Sequence, residues 1–274
     1  MTTELHCHTT ASDGAHTPTE VVAMAQARGV TLLAITDHDT LAGHAEALEA
    51  SHTFGIPVVL GVEISALSPE GEVHVLGYGV CPSDEPTRQR FAALRAARFA
   101  RAEQILQRLD ALGMHMTLED VRAFAGDGII GRPHIARALV QHGFVPDTQT
   151  AFDLYLAEGR AAFVPNQNLS PAEAVALIHA AHGVAVLAHP GLYRGDLNRL
   201  LSNLVSAGLD GIEVFYPLHS EAQVEALLAF ARQNSLLVTG GSDFHGIAVD
   251  GRDCLGAVHV PTADVAALRA RLGV

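Results

Sequence analysis

The run Leu5-His6-Cys7-His8-Thr9, followed at once by Ser12-Asp13-Gly14, concentrates metal-ligand chemistry near the start of the sequence. Successive side chains on a β-strand face opposite ways, so His6 and His8 on a first strand share one face and Cys7 turns from it. Two imidazoles on one face, with the Asp13 carboxylate in a Gly-containing turn just beyond, suit a divalent metal that takes mixed nitrogen and oxygen ligands. One H-x-H alone fits two structural histidines on a polar strand face equally well. The other candidate donors tip that balance. Asp37 with His38, Glu63, His189, and Asp243 with His245 sit at or just beyond the ends of apolar runs, and His74 lies within one. Strand ends converge at one end of a parallel α/β sheet or barrel, where sites are built. A scatter of structural histidines has no reason to choose that end strand after strand.

The elements that must carry these residues are legible in turn. Thr17-Pro18-Thr19-Glu20 makes a capping box with proline at the first helical position, and Gly29 closes that helix. Leu32-Leu33-Ala34-Ile35 is a buried strand ending at Thr36-Asp37-His38-Asp39, and a second helix runs to about Gly55. Val58-Val59-Leu60 leads to Gly61-Val62-Glu63, and Val73 to Tyr78 is another strand. The alternation predicts a parallel α/β architecture. From about Pro82 to Arg160 the pattern is helical, with one long helix over 86–112 and shorter ones over 117–125, 133–142 and 148–158. That stretch is read as an α-helical insertion acting as a lid. Its arginines (Arg88, Arg90, Arg95, Arg98, Arg101 and Arg108) are read as a solvated helix face. Strands then return at 184–187, 211–215 and 236–239, separated by helices over 196–207 and 220–233. The body is therefore expected over 1–81 and 161–274, and the lid over 82–160.

The ordered motifs resemble those of the PHP (polymerase and histidinol phosphatase) superfamily. They are Leu-His-Cys-His-Thr, Ser-Asp-Gly, Thr-Asp-His-Asp, Gly-Val-Glu-Ile, Val-His-Val-Leu-Gly, Ala-His-Pro-Gly and Gly-Ser-Asp-Phe-His-Gly. The resemblance spans residue 4 to about 246 and implies a distorted (β/α)7 barrel with three divalent metal ions, manganese, zinc or iron. It implies that His6, His8, Glu63 and Asp243 hold one ion, and that Glu63 bridges to a second held by His74 and His189. Asp13, His38 and His245 would hold the third. Within the superfamily, Gly131-Arg132-Pro133-His134 and Gly159-Arg160 resemble lid segments of the bacterial nucleoside 3′,5′-bisphosphate phosphatase and 5′→3′ exoribonuclease group. That likeness makes Arg132, His134 and Arg160 expected contacts to substrate phosphates. Where relatives carry arginine after His-Pro-Gly this chain has Leu192, with Arg194 two residues on as a substitute. The implied reaction is removal of the 3′-phosphate from a nucleoside bisphosphate, or shortening of 5′-phosphorylated RNA, by hydroxide that the metals generate near neutral pH. A protonated His134 or His219 would help the leaving alkoxide depart.

Composition sets the outer limits. The 274 residues are 49% hydrophobic and 17% charged, which excludes a mostly disordered chain. No apolar run approaches the roughly 20 residues that span a bilayer, and the N-terminus carries no signal-peptide pattern, so a cytoplasmic protein without membrane contact is expected. A formal net charge of −13 argues against a duplex nucleic-acid surface, though a small phosphorylated substrate in a locally positive pocket fits. All 17 basic residues are arginine, so phosphate recognition falls to arginine, backbone N–H groups or metal. The three cysteines are too scattered for a disulfide framework. Competing readings are a histidinol-phosphate or other small phosphomonoester phosphatase, an amidohydrolase acting at carbon, and a metal-binding accessory domain.

Overall fold

Local chemistry fixes the helix starts. Thr17 accepts from the Glu20 backbone N–H while the Glu20 carboxylate accepts from the Thr17 N–H, and Ser170 with Glu173 and Ser220 with Gln223 repeat the device. The computed structural model describes residues 2–69, 71–166, 169–246 and 254–274. The strands are β1 (Thr2–Glu4), β2 (Val30–Ile35), β3 (Val58–Ser68), β4 (Gly71–Tyr78), β5 (Val184–Leu187), β6 (Gly211–Phe215) and β7 (Leu237–Gly240), hydrogen-bonded in that order into one sheet. Helices α1 (Pro18–Ala27) and α2 (His44–Phe54) connect the first three strands, and α7 (Pro171–Ala180), α8 (Leu197–Ser206), α9 (Glu221–Gln233) and α10 (Thr262–Leu272) accompany the later ones. Between the two groups lie α3 (Glu85–Ala111), α4 (Leu118–Ala125), α5 (Arg132–Gln141) and α6 (Thr148–Ala151), the last running into a π-type turn over Phe152–Leu156.

Three expectations change. The sheet is only mostly parallel: β4 runs antiparallel to both β3 and β5. The cause is the short connection from Ser68 to Gly71, which leaves no room for the crossover helix that parallel neighbours require. The sheet is also not closed by a strand ladder. Among the described residues its ends meet through one isolated parallel bridge, Cys7 to Phe244, where His8 N–H donates to Phe244 O at 2.8 Å. Finally, β1 stops at Glu4, so His6 and His8 lie just past that strand rather than on it.

The sheet nevertheless curls enough for the Tyr78 hydroxyl on β4 to donate to Leu5 O at 2.9 Å. Leu5, Leu32, Leu76, Tyr78, Val186 and Leu268 pack together on that side, and Val62, Val75, Ile178, Ile212 and Leu227 form a larger cluster with α7–α9. Each fully buried leucine or isoleucine there contributes roughly 1.5–3 kcal/mol of burial. The helical segment has its own apolar cluster, including Ile105, Leu109, Val121, Ile135, Leu139 and Leu156, which reaches on to Ala162 and Val164.

The arginine run on α3 is not uniformly solvated. Arg98 and Arg101 are 6% and 7% exposed. Arg98 Nε donates to Asp39 Oδ2 at 2.7 Å and its Nη2 to Ser65 Oγ at 2.6 Å; Arg101 Nη2 donates to Glu72 Oε1 at 2.7 Å. Phe91, Leu94, Arg98, Arg101 and Ile105 follow helical spacing on one buried stripe, so these two guanidiniums face the sheet and need carboxylate partners. Arg88 stays on the surface with Glu85.

Candidate metal centre

The alternation read from Leu5-His6-Cys7-His8-Thr9 survives beyond the strand. Cys7 turns into the apolar layer and donates from Sγ to Ala34 O, while the rings of His6 and His8 stand 5.2 Å apart on the other side. The end of β2 adds His38, β3 adds Glu63, β4 adds His74, β5 is followed by His189, and β7 by Asp243 and His245. Turn chemistry sets the first loop: Asp37 accepts from Thr9 N–H and Thr9 Oγ1 at 2.7 Å and from Ser12 Oγ at 2.6 Å, which brings Asp13 back towards His38 and His245. His189 and Asp243 take left-handed backbone angles, φ 27° and 55°, as does Asp39 at 51°. Such conformations in residues other than glycine cost free energy and gather at functional sites.

All nine expected metal-binding side chains lie in one cluster around Glu63. Its Oε1 is 2.9 Å from His74 Nδ1 and 3.1 Å from His189 Nε2. Its Oε2 is 3.0 Å from His38 Nδ1, 3.2 Å from His8 Nε2 and 3.3 Å from His6 Nε2. Three overlapping groups place their donor atoms within 4.8 Å of one another: His6, His8, Glu63 and Asp243; His8, Asp13, His38 and His245; and His38, Glu63 and His74. The first matches the expected set. In the third, His38 stands where His189 was expected; His189 contacts Glu63 Oε1 and packs its ring against those of His6 and His74.

The donor set fits divalent cations on a physical test. Among the described residues, six of its buried atoms make no hydrogen bond: His6 Nε2, His8 Nε2, Asp13 Oδ1, His38 Nδ1, Glu63 Oε2 and Asp243 Oδ1. Buried polar atoms without partners are costly and rare, and here they converge. The field points the same way. Burial alone would lower the His8 pKa, yet Asp243 and Glu63 raise it to about 10. Burial alone would raise that of Glu63, yet His38, His74 and His6 hold it well below the usual carboxylate range. A site with such a pull on positive charge, built from imidazole and carboxylate, suits manganese, zinc or iron.

The expected substrate residues fare differently. Arg132 opens α5 and donates from Nη2 to Glu72 Oε2 at 2.6 Å, with its guanidinium 5.5 Å from the Phe163 ring centre. Glu72 precedes His74 by two residues on β4, so both side chains share a face. His134 is 1% exposed, and burial pushes its pKa down to about 4. Its Nδ1 accepts from Gly131 N–H at 3.1 Å, which leaves a neutral ring with Nε2–H as donor. The protonated His134 expected as an acid is therefore replaced by a neutral hydrogen-bond donor. His219 donates from Nδ1 to Val214 O at 2.8 Å and accepts at Nε2 from Gly191 N–H at 3.1 Å, so backbone groups occupy both ring nitrogens. Arg160 and Arg194 are exposed and make no ion pair among the described residues. A cavity of about 150 Å³ is lined by Glu72, His74, His189, Pro190, Leu192 and Tyr193, among others. Another of about 480 Å³ is lined by Gly14, Gly43, Phe124, Gly128 and His134, among others.

Reasoning from sequence did not find Glu213, Tyr216, Glu72 or the Arg98–Asp39 pair. Glu213 sits inside the apolar run Gly-Ile-Glu-Val-Phe, and a charge in the middle of a buried strand signals a partner. That partner, His6, is 207 residues away and could not be named from spacing.

A model of the PHP domain matches residues 4–160. The 3′,5′-nucleoside bisphosphate phosphatase of Chromobacterium violaceum is 39% identical over 254 residues, covering 91% of this chain and 89% of that protein. A 5′-3′ exoribonuclease of Haemophilus influenzae is 37% identical, covering 88% of this chain and 89% of its own. A solved structure from Bifidobacterium adolescentis, described as a metal-dependent phosphoesterase, superposes with a TM-score of 0.89 at 36% identity over 98% of this chain and 95% of that one. Among the described residues no helix is long and apolar enough to cross a membrane.

Proposed function

The chain belongs to the PHP domain family and is a metal-dependent phosphoesterase, and from that premise we propose that it removes the 3′-phosphate of nucleoside 3′,5′-bisphosphates and trims short 5′-phosphorylated RNA. The observation that carries this reading is the convergence at Glu63 of six buried donor atoms that make no hydrogen bond among the described residues, in a chain whose relatives are named for nucleotide and RNA hydrolysis. His6, His8, Glu63 and Asp243 would hold one divalent ion, Glu63 with His74 and His189 a second, and Asp13 with His38 and His245 a third. Divalent cations there supply charge neutralisation at the phosphoryl oxygens and lower the pKa of water.

The rest falls to the chain itself. Residues 82–160 act as a lid on the body formed by 1–81 and 161–274, and the Cys7–Phe244 bridge is the seam of a distorted (β/α)7 barrel. Arg160 and Arg194, exposed and without an ion pair among the described residues, receive substrate phosphates with the bidentate geometry that guanidinium allows. Arg132 does so from a place fixed by Glu72. His134 offers Nε2–H to a phosphate oxygen as a neutral donor, and His219 braces the turn after His189 through Gly191.

The test is phosphate release from 3′-phosphoadenosine 5′-phosphate by manganese-reconstituted protein, with histidinol phosphate and a 5′-phosphorylated RNA oligonucleotide alongside. Preferred turnover of the bisphosphate, abolished by His189→Ala, is expected. Preference for histidinol phosphate, or no turnover by protein that binds metal, would overturn the substrate assignment.

A further inference from the structure

Every strand but β6 carries a candidate metal donor or is followed by one. What β6 supplies instead lies behind the donors. Glu213 is fully buried and accepts from two of them: His6 Nδ1–H at 3.0 Å and the His189 backbone N–H at 2.7 Å. A carboxylate can only accept, so the first bond puts the His6 proton on Nδ1 and leaves the Nε2 lone pair free. That nitrogen is 3.3 Å from both Glu63 Oε2 and Asp243 Oδ1 and makes no hydrogen bond. The second bond holds the strained turn at His189, whose φ is 27°.

Tyr216, just past the strand, does the same for Asp243. Its hydroxyl donates to Asp243 Oδ2 at 3.1 Å, and the other oxygen, Oδ1, is buried, makes no hydrogen bond among the described residues and faces His8 Nε2 at 3.0 Å. The Tyr216 ring centre lies 5.4 Å from that of His189 and 5.2 Å from that of His219, so the ring is fixed between two imidazoles.

We infer that Glu213 and Tyr216 are positioning residues for the metal centre, with β6 orienting from behind the donors that follow β1, β5 and β7. The inference rests on the metal-binding reading above. Glu213 sets the tautomer of His6 and the backbone of His189; Tyr216 decides which oxygen of Asp243 faces the cations. Partners of this kind typically change metal affinity by about 10–100-fold when removed. A purely structural role would instead appear in the stability of the metal-free protein.

The experiment uses the full chain as wild type, Glu213→Gln and Tyr216→Phe, each stripped with chelator and titrated with manganese against a chromophoric competitor. Thermal melting of each metal-free protein is recorded alongside. Both variants are expected to melt close to wild type when metal-free, to bind manganese about 10–100-fold more weakly, and to regain turnover as manganese is raised. Wild-type affinity in both variants would overturn the inference while leaving the metal centre intact. A wild-type protein that takes up no manganese would remove the metal-binding reading, and this inference with it. Should Glu213→Gln fail to fold, Tyr216→Phe decides alone.

Discussion

Arg98 on α3 donates to Asp39 at 2.7 Å, which fastens the helical segment to the residue immediately after the candidate ligand His38. Asp39 is fully buried, sits at φ 51° and also accepts from the Ser65 N–H at 2.9 Å, two residues beyond Glu63. The pair therefore ties two strands that carry candidate donors, β2 through the residue after His38 and β3 through Ser65, to one helix.

Breaking that pair leaves Asp39 buried with a charge and no guanidinium. Arg98→Met is expected to cost about 3–5 kcal/mol of stability, the range for losing one partner of a buried ion pair. Urea denaturation of wild type and variant measures it. A loss below about 1 kcal/mol, as for an exposed pair, would contradict the burial argument.

Glu72 makes stability depend on acid pH. Burial alone would raise its pKa, but Arg132 and Arg101 outweigh that and hold it at about 2, against 4.5 unperturbed. A depressed folded-state pKa gives stability that is complete above about 4.5 and lost as pH falls towards 2. By linkage the effect is about 3 kcal/mol at most. Glu72→Gln should therefore be less stable than wild type at pH 7, with the gap narrowing between pH 4.5 and 2. Denaturation of the metal-free proteins across that window tests it, and a gap independent of pH would exclude Glu72 as the source.

These two contacts also mark where reading the sequence stopped. The candidate donors stand out in the sequence because imidazoles and carboxylates recur on or just past successive strands, a pattern that depends on local order alone. The helices were legible from capping boxes, such as that of Thr17 and Glu20. Arg98 and Arg101 were misread because a run of arginines on a helix is usually solvated, although both fall on the stripe of Phe91, Leu94 and Ile105. The strand–helix alternation on either side predicts a parallel β4, and only the short connection from Ser68 to Gly71 opposes it. Glu213, Glu72 and Tyr216 act through partners far away in the chain, and nothing in local spacing names a partner.

Metal removal should lower thermal stability, because cations held as proposed at the Glu63 cluster would bind the folded chain and not the unfolded one. At 100 times the dissociation constant one site adds about 2.7 kcal/mol. For a chain of this size that corresponds to a rise of roughly 5 °C. Glu63 contributes to two of the three donor groups, so Glu63→Gln should abolish most of the shift and lower turnover by more than about 100-fold. Scanning calorimetry with chelator and with manganese reads the first, and phosphate release the second. An unchanged manganese-dependent shift in Glu63→Gln would remove that carboxylate from the centre.

Arg160 and Arg194 offer the sharpest test of the substrate. Both are exposed and make no ion pair among the described residues, so replacing either with methionine should leave folding intact. Hydrogen bonds to charged groups are worth about 1.5–3 kcal/mol, which predicts a loss of roughly 10–150-fold in kcat/KM where an arginine holds a phosphate. An arginine that reads the second phosphate matters for a bisphosphate and not for the matching monophosphate. Arg160→Met and Arg194→Met are therefore to be compared on 3′-phosphoadenosine 5′-phosphate and on adenosine 3′-phosphate. A loss confined to the bisphosphate identifies the residue that holds the 5′-phosphate, and an equal loss on both places the arginine at the scissile phosphate. No loss for either variant would remove both from phosphate recognition and leave it to Arg132, His134, backbone N–H groups or metal, with Arg132 first having to part from Glu72.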